Sequence, residues 1–174
     1  DSNQLYGYEE FNPYVEAFFK WWESDLHKTL RQLRVTGGEP LMSADLWKLV
    51  EWFEKNGDKS QTSLAINSNL VAKPELIQRL INVKNHLPSL GVYTSAEATD
   101  GAAEYIRDGM IFQQWWENIQ RLHEADIDTH CMCTINALCL ETLPELVDRI
   151  MHKRIEYGNR RFAIISLNIL RFPS

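Results

Sequence analysis

Cysteine is scarce. The chain of 174 residues holds three, at 131, 133 and 139. So small and odd a number excludes a disulfide framework and makes a reducing cytoplasm the expected compartment. Long apolar runs are missing as well. None approaches the roughly 20 residues of a membrane span, and no signal peptide is visible, so no membrane partner is expected. Positive charge is in deficit: 18 Lys and Arg stand against 24 Asp and Glu, a net charge of −6. That speaks against coating nucleic acid, which needs a basic face. The five histidines (27, 86, 123, 130, 152) are scattered without ligand spacing. No linker or low-complexity tract interrupts the chain, so residues 1–174 read as a single domain. The sequence opens on Asp1 rather than methionine and closes at Pro173-Ser174 straight after an apolar run. It is therefore expected to be incomplete at both ends.

What is present is a core. Hydrophobic residues make up 44% and aromatic residues 11% of the chain, enough for a packed domain. Apolar residues recur at helical spacing five times: Val15/Phe18/Phe19/Trp22/Leu26, Leu46/Leu49/Val50/Phe53, Leu76/Ile77/Leu80/Ile81, Phe112/Trp115/Trp116/Ile119/Leu122 and Leu143/Leu146/Val147/Ile150. Ser43 and Gly57 bracket the second helix as caps, and Thr142 with Glu145 forms a capping box on the last. Pro74 and Pro144 fall near helix starts, where a missing N–H costs little. One member of each pair Trp21-Trp22 and Trp115-Trp116 must lie off the stripe, which makes self-association an expectation. The basic clusters Lys28/Arg31/Arg34 and Lys153/Arg154/Arg160/Arg161 read as helix-end cations that complement the macrodipole.

Between the helices lie β-favouring runs at 32–36, 62–67, 90–95, 128–136 and 162–170, spaced by about one βα unit each. The fold class is therefore α/β with parallel strands. A helix-first order suggests that an initial strand is missing. In such folds ligands bind at the carboxyl ends of the strands. There the sequence places Thr36-Gly37-Gly38-Glu39-Pro40, then Asn67-Ser68-Asn69, then Ser95-Ala96-Glu97, then Asn136, and finally Asn168 with Arg171.

Two bare glycines leave backbone carbonyls accessible, Glu39 adds an anionic acceptor, and Pro40 stiffens the exit. Such an edge suits an ammonium group and suits phosphate badly, since it lacks a P-loop lysine. The same GGEP could also serve only as a tight turn. Ser95 and Glu97 share a face if the strand persists, and could together hold a diol. Asn67, Asn69 and Asn136 could be ligand contacts or ordinary turn residues. Cys131 and Cys133 point to one face of a strand, with His130 and Met132 on the other. Three thiolates could ligate zinc or iron, or be inert buried residues.

GGEP after a strand, an Asn-containing turn after the next, and the phrase SAEATDGAAEYIRDGM at 95–110 together resemble the radical S-adenosylmethionine (radical SAM) enzymes. The resemblance is closest to members with a C-terminal twitch or SPASM domain, and it covers nearly the whole chain. It implies a partial (β/α) barrel. It also implies a 4Fe–4S cluster on a Cys-x3-Cys-x2-Cys loop, and S-adenosylmethionine cleaved reductively to a 5′-deoxyadenosyl radical. Carried across, Gly37, Gly38, Glu39 and Pro40 would receive the methionyl ammonium. Ser95 and Glu97 would contact the ribose or the methionyl carboxylate, and Asn136 the nucleoside, while Arg107 matches a Tyr-x-Arg-x-Gly phrase without an assigned contact. The cluster motif itself is absent, since C-x-C-x5-C at 131–139 has the wrong spacing and place. The chain is thus expected to carry the S-adenosylmethionine wall of a larger enzyme, without a cluster of its own and inactive alone, acting on a peptide or small metabolite. The alternative is a non-catalytic nucleoside- or protein-binding module.

Overall fold

The computed structural model describes residues 12–158 and 161–170. Arg160, Arg171 and Pro173-Ser174, which entered the sequence reading, lie outside the described residues. Helix α1 (Pro13–Trp21) starts behind Asn12, whose side-chain oxygen accepts from the Tyr14 amide at 3.0 Å. It continues through a π turn, Trp22–Leu26, into the short α2, His27–Thr29. The wide turn brings Trp22 and His27 inward together, with His27 Nδ1 2.5 Å from the Trp22 carbonyl. There follow β1 (Gln32–Val35), α3 (Ala44–Asn56), β2 (Ser63–Asn67), α4 (Pro74–Val83) and β3 (Leu90–Ser95). The rest is α5 (Asp100–Ile106), α6 (Phe112–Glu124), β4 (Asp128–Ile135), α7 (Leu143–Glu156) and β5 (Ile164–Ile169). Every expected strand is present, with ends within two residues of the sequence reading. Helix α5 was not anticipated, because its seven residues carry no apolar stripe. No helix among the described residues is long and apolar enough to cross a membrane.

The stripes pack as their spacing requires. Leu46, Leu49, Val50 and Phe53 of α3 are buried, as are Phe112, Trp115, Ile119 and Leu122 of α6. Trp22 and Trp115 are the inward members of their pairs, while Trp21 is exposed and Trp116 packs edge-on against Phe162. Three details of the capping differ from expectation. Ser43 sits at the N-cap of α3 without a side-chain cap bond. Thr142 makes no capping bond either; its hydroxyl donates to the Cys139 carbonyl, and Glu145 pairs with Arg149 one turn on. Gly57 ends α3 at a right-handed φ of −58°, so it is not a left-handed cap. A Cβ there would collide with the backbone carbonyl of His86, and the glycine is needed for that close approach.

All strand pairs are parallel, in the sequential order β1-β2-β3-β4-β5. An order that never reverses sends each crossover the same way, so right-handed connections cover one face of the sheet. The registers confirm two chemically distinct faces. On one, Leu33, Leu64, Leu90 and, a row further, Val35, Ile66, Val92 and Thr129 align, with Thr94, Cys131 and Ile165 beyond. The apolar ones belong to or pack against the core that the helix stripes share, and Thr94 and Thr129 are buried on the same face. The other face carries Arg34, Asn67, Tyr93, Ser95, His130, Met132, Ser166 and Asn168, all exposed or half-buried. Arg34 therefore belongs to a strand on this open face and is not a helix-end cation.

Candidate cofactor-binding site

A cavity of about 230 Å³ opens at the carboxyl ends of β1–β4. Its wall takes Gly37 and Gly38 from the β1 loop and Asn67, Ser68 and Asn69 from the β2 end. Tyr93 and Ser95 come from β3, Met132 from β4, and Arg107, Asp108 and Met110 from the connection between α5 and α6. Five expected residues thus meet: Gly37, Gly38, Asn67, Asn69 and Ser95. Four others, Glu39, Pro40, Glu97 and Asn136, stand outside the wall, for identifiable reasons.

Gly37 and Gly38 have φ of +94° and +50°, and a Cβ on either would meet nothing within 4 Å. The pair is demanded by backbone conformation, which also turns their peptide groups toward the cavity edge. Glu39 faces the other way. Its Oε1 accepts from the Leu41 amide at 3.1 Å and from the Ser68 hydroxyl at 2.7 Å, and its Oε2 accepts from the Asn69 amide at 2.8 Å. The carboxylate therefore clamps the β1 loop to the β2 loop. Pro40 is buried at the start of a 3-10 turn, Pro40–Met42, behind it. GGEP combines two roles, with its glycines lining the cavity and its acid bracing the loop.

The β2 loop is braced a second time from α6. Asn118, buried at 3% exposure, donates through Nδ2 to the carbonyls of Leu70 at 2.9 Å and Ala72 at 3.1 Å. Leu70 holds a φ of +56° under this restraint. Asn67 Oδ1, by contrast, is a buried oxygen without a hydrogen-bond partner among the described residues. An orphaned acceptor in a cavity wall is open to a donor from a bound water, ion or ligand.

Strand β3 ends at Ser95, so Glu97 does not share its face. Glu97 is 2% exposed and grips Arg107 in a fork, with Arg107 Nε donating to Oε2 at 2.6 Å and Nη2 to Oε1 at 2.5 Å. The Thr134 amide donates to the same carboxylate at 3.0 Å. This bond to Glu97 holds the Arg107 guanidinium above its ordinary pKa, against the lowering effect of burial. The buried acid thus holds a half-exposed, permanent cation in the cavity wall. Asn136 lies beyond β4, where its side chain caps its own turn by accepting from the Leu138 amide at 2.9 Å, and it borders a separate apolar recess.

Cys131 and Cys133 sit on the helix-covered face with sulfurs 3.9 Å apart, on the side of the sheet away from the cavity. The bond with Cys133, and then burial, push the Cys131 thiol well above its usual range. Cys139 is buried in the turn after β4, accepting from the Asn136 amide at 3.3 Å. These thiols do not fit a cluster site, and no group of three His, Cys, Asp or Glu side chains among the described residues is placed to hold a metal.

The sequence reading missed Tyr93, Asp108 and Met110 as wall residues and left Arg107 and Met132 without a role. A signal for Tyr93 and Met132 existed: strict alternation along β3 and β4 puts both on the face opposite the buried residues.

Comparison with known proteins speaks to family and fold. The profile of the Radical SAM superfamily matches residues 15–163. No curated protein matches the chain. The fold is similar to the crystal structure of Streptococcus suis SuiB, with a TM-score of 0.58 at 16% identity. That overlap covers 82% of this chain and 30% of SuiB, so this chain spans about a third of the length of that protein. The likeness identifies the five parallel strands as part of a (β/α) barrel.

Proposed function

The chain belongs to the radical SAM superfamily, and from that premise we propose that the cavity at the ends of β1–β4 is the wall that holds the amino-acid end and ribose of S-adenosylmethionine in a larger enzyme. The observation that carries this reading is the pairing of opposite polarities across one small cavity. Backbone groups of Gly37 and Gly38, with the acceptor Asn67 Oδ1, stand on one part of the wall and suit an ammonium. The Arg107 guanidinium stands on another and suits a carboxylate. Ser95, Asn69 and Asp108 supply hydroxyl, amide and carboxylate groups for sugar hydroxyls. A volume of about 230 Å³ is below the roughly 300–1,000 Å³ of whole-ligand pockets, as suits one end of a longer ligand.

In this family S-adenosylmethionine beside a reduced 4Fe–4S cluster supplies hydrogen abstraction by a 5′-deoxyadenosyl radical. The residues of this chain bind and orient. Gly37 and Gly38 shape the ammonium end, Glu39 and Asn118 keep the two loops in register, and Glu97 fixes the direction of Arg107. The cysteines here do not suit the cluster, so its ligands are assigned to another part of the protein.

Calorimetry with S-adenosylmethionine tests the reading. Arg107→Gln is expected to weaken binding by about tenfold or more, the value of one charge-assisted pair. Binding by the parent chain that ignores this change would overturn the assignment.

A further inference from the structure

Below the cavity, the open face of the sheet carries a three-part stack that the cofactor reading does not use. The guanidinium of Arg34 on β1 lies over the Tyr93 ring on β3, 4.0 Å from its centroid. It reaches there across β2 because Ala65 and Gly91, its neighbours in register, are small. On the β4 side the His130 ring stacks on Tyr93 with centroids 4.4 Å apart and planes within 7°. These are register partners, Tyr93 with His130, so the stack is fixed by strand pairing rather than by loops.

The stack is rigid in position yet free in its hydrogen bonding. Among the described residues, no side-chain hydrogen bond engages Arg34, Tyr93, His130 or Ser95, and no carboxylate pairs with Arg34. That differs from the helix-covered face, where Thr94 accepts from Trp115 Nε1 at 2.8 Å. Beyond His130, the carboxylate of Asp128 is engaged by Arg161 and does not pair with Arg34. Burial first, then Arg34 and Arg161, hold His130 below its ordinary pKa despite the opposing pull of Asp128. The imidazole is thereby kept neutral, with an N–H to donate.

We propose that Arg34, stacked on Tyr93 beside His130, is an anchor for a planar carboxylate on the substrate of this enzyme. A guanidinium is planar by its own delocalisation and its fork matches a carboxylate bidentately, while the Tyr93 ring, 4.0 Å from Cζ, holds the group in place. Tyr93 also lines the cavity above, and Ser95 stands one row higher on the same face, about 7 Å along the strand. A molecule gripped at Arg34 therefore extends toward the cavity, with its carboxylate end furthest from the reacting centre. The inference deepens the cofactor reading and rests on it only for the identity of that neighbouring ligand.

The test uses the full-length protein with 15N-labelled histidine, reading the His130 ring signals during titration with benzoate, benzamide and inorganic phosphate. His130→Gln assigns the resonance. Benzoate is expected to give a saturable shift confined to His130, and benzamide none. Arg34→Gln should raise the benzoate Kd by about tenfold or more. Arg34→Lys, which keeps the charge and loses the flat fork, should fall between. Equal responses to benzoate and benzamide, a response to phosphate alone, or unchanged binding in Arg34→Gln would each overturn the anchor. Calorimetry with S-adenosylmethionine on the same samples separates the two readings, since Arg34→Gln is expected to bind it as the parent does. A parent that responds to benzoate but takes no S-adenosylmethionine would overturn the cavity assignment alone.

Discussion

At Glu39 one carboxylate accepts three hydrogen bonds, from Leu41, Ser68 and Asn69. A glutamine there presents an NH2 group where a donor already stands, so one bond is lost and one donor is left facing another. Glu39→Gln is expected to cost about 1–3 kcal/mol of stability by denaturant titration, and to weaken S-adenosylmethionine binding through the displaced loops. The Glu97–Arg107 pair makes a sharper case, because the acid is 2% exposed and the base lines the cavity. Removing the cation leaves a buried carboxylate unpaired. Arg107→Gln alone should therefore cost about 3–5 kcal/mol, whereas the double variant with Glu97→Gln should recover much of that loss. A double-mutant cycle measures the coupling; a coupling near zero would show that the two side chains act independently.

At the scale of elements, the cavity depends on helices that never touch it. Helix α6 sends Asn118 to the carbonyls of Leu70 and Ala72, and Gln114 to Ala72 again at 2.9 Å. Asn118→Leu strands the Leu70 carbonyl, so a loss of about 1–3 kcal/mol is expected. Amide exchange at 69–72 should quicken more than exchange in β2 itself. The connection after α3 meets the connection after α4 at Gly57, where no side chain fits against the His86 backbone. Gly57→Ala forces the two turns apart and is expected to lower stability by about 1–3 kcal/mol, read as a shift in Tm.

For the whole molecule, the sequential strand order separates a helix-covered apolar face from an open polar face. His130 on the open face contributes a pH dependence whose sign follows from its environment. Its folded pKa is lowered from the ordinary 6.5, by burial first. In acid the unfolded chain therefore takes up a proton that the folded chain refuses. The stability contribution is complete above 6.5 and is lost as pH falls through that value toward the lowered folded one. Global unfolding at pH 7.5 and pH 5.5 should show a smaller acid loss in His130→Gln than in the parent. An identical loss in both would mean that other groups carry the acid sensitivity.

The amino-acid sequence by itself determined the five strands, the five striped helices and their order. Stripes such as Leu46/Leu49/Val50/Phe53 and runs such as Leu90–Ser95 are local patterns, and local patterns fix helix and strand without reference to the rest of the chain. It also located five of the cavity's wall residues, because strand ends bind ligands in parallel α/β folds and those positions can be counted along the chain. Only the tertiary structure decided where each polar side chain is used. Glu39 and Glu97 look alike as acids beside strand ends, yet both face protein partners 10 or more residues away in sequence, Ser68, Asn69 and Arg107. Arg34 reads as one member of a basic cluster until strand pairing lays it on Tyr93. Hydrogen-bond partners, the close approach at Gly57 and the sharing of one sheet face are set by separations in space, which residue order does not encode locally.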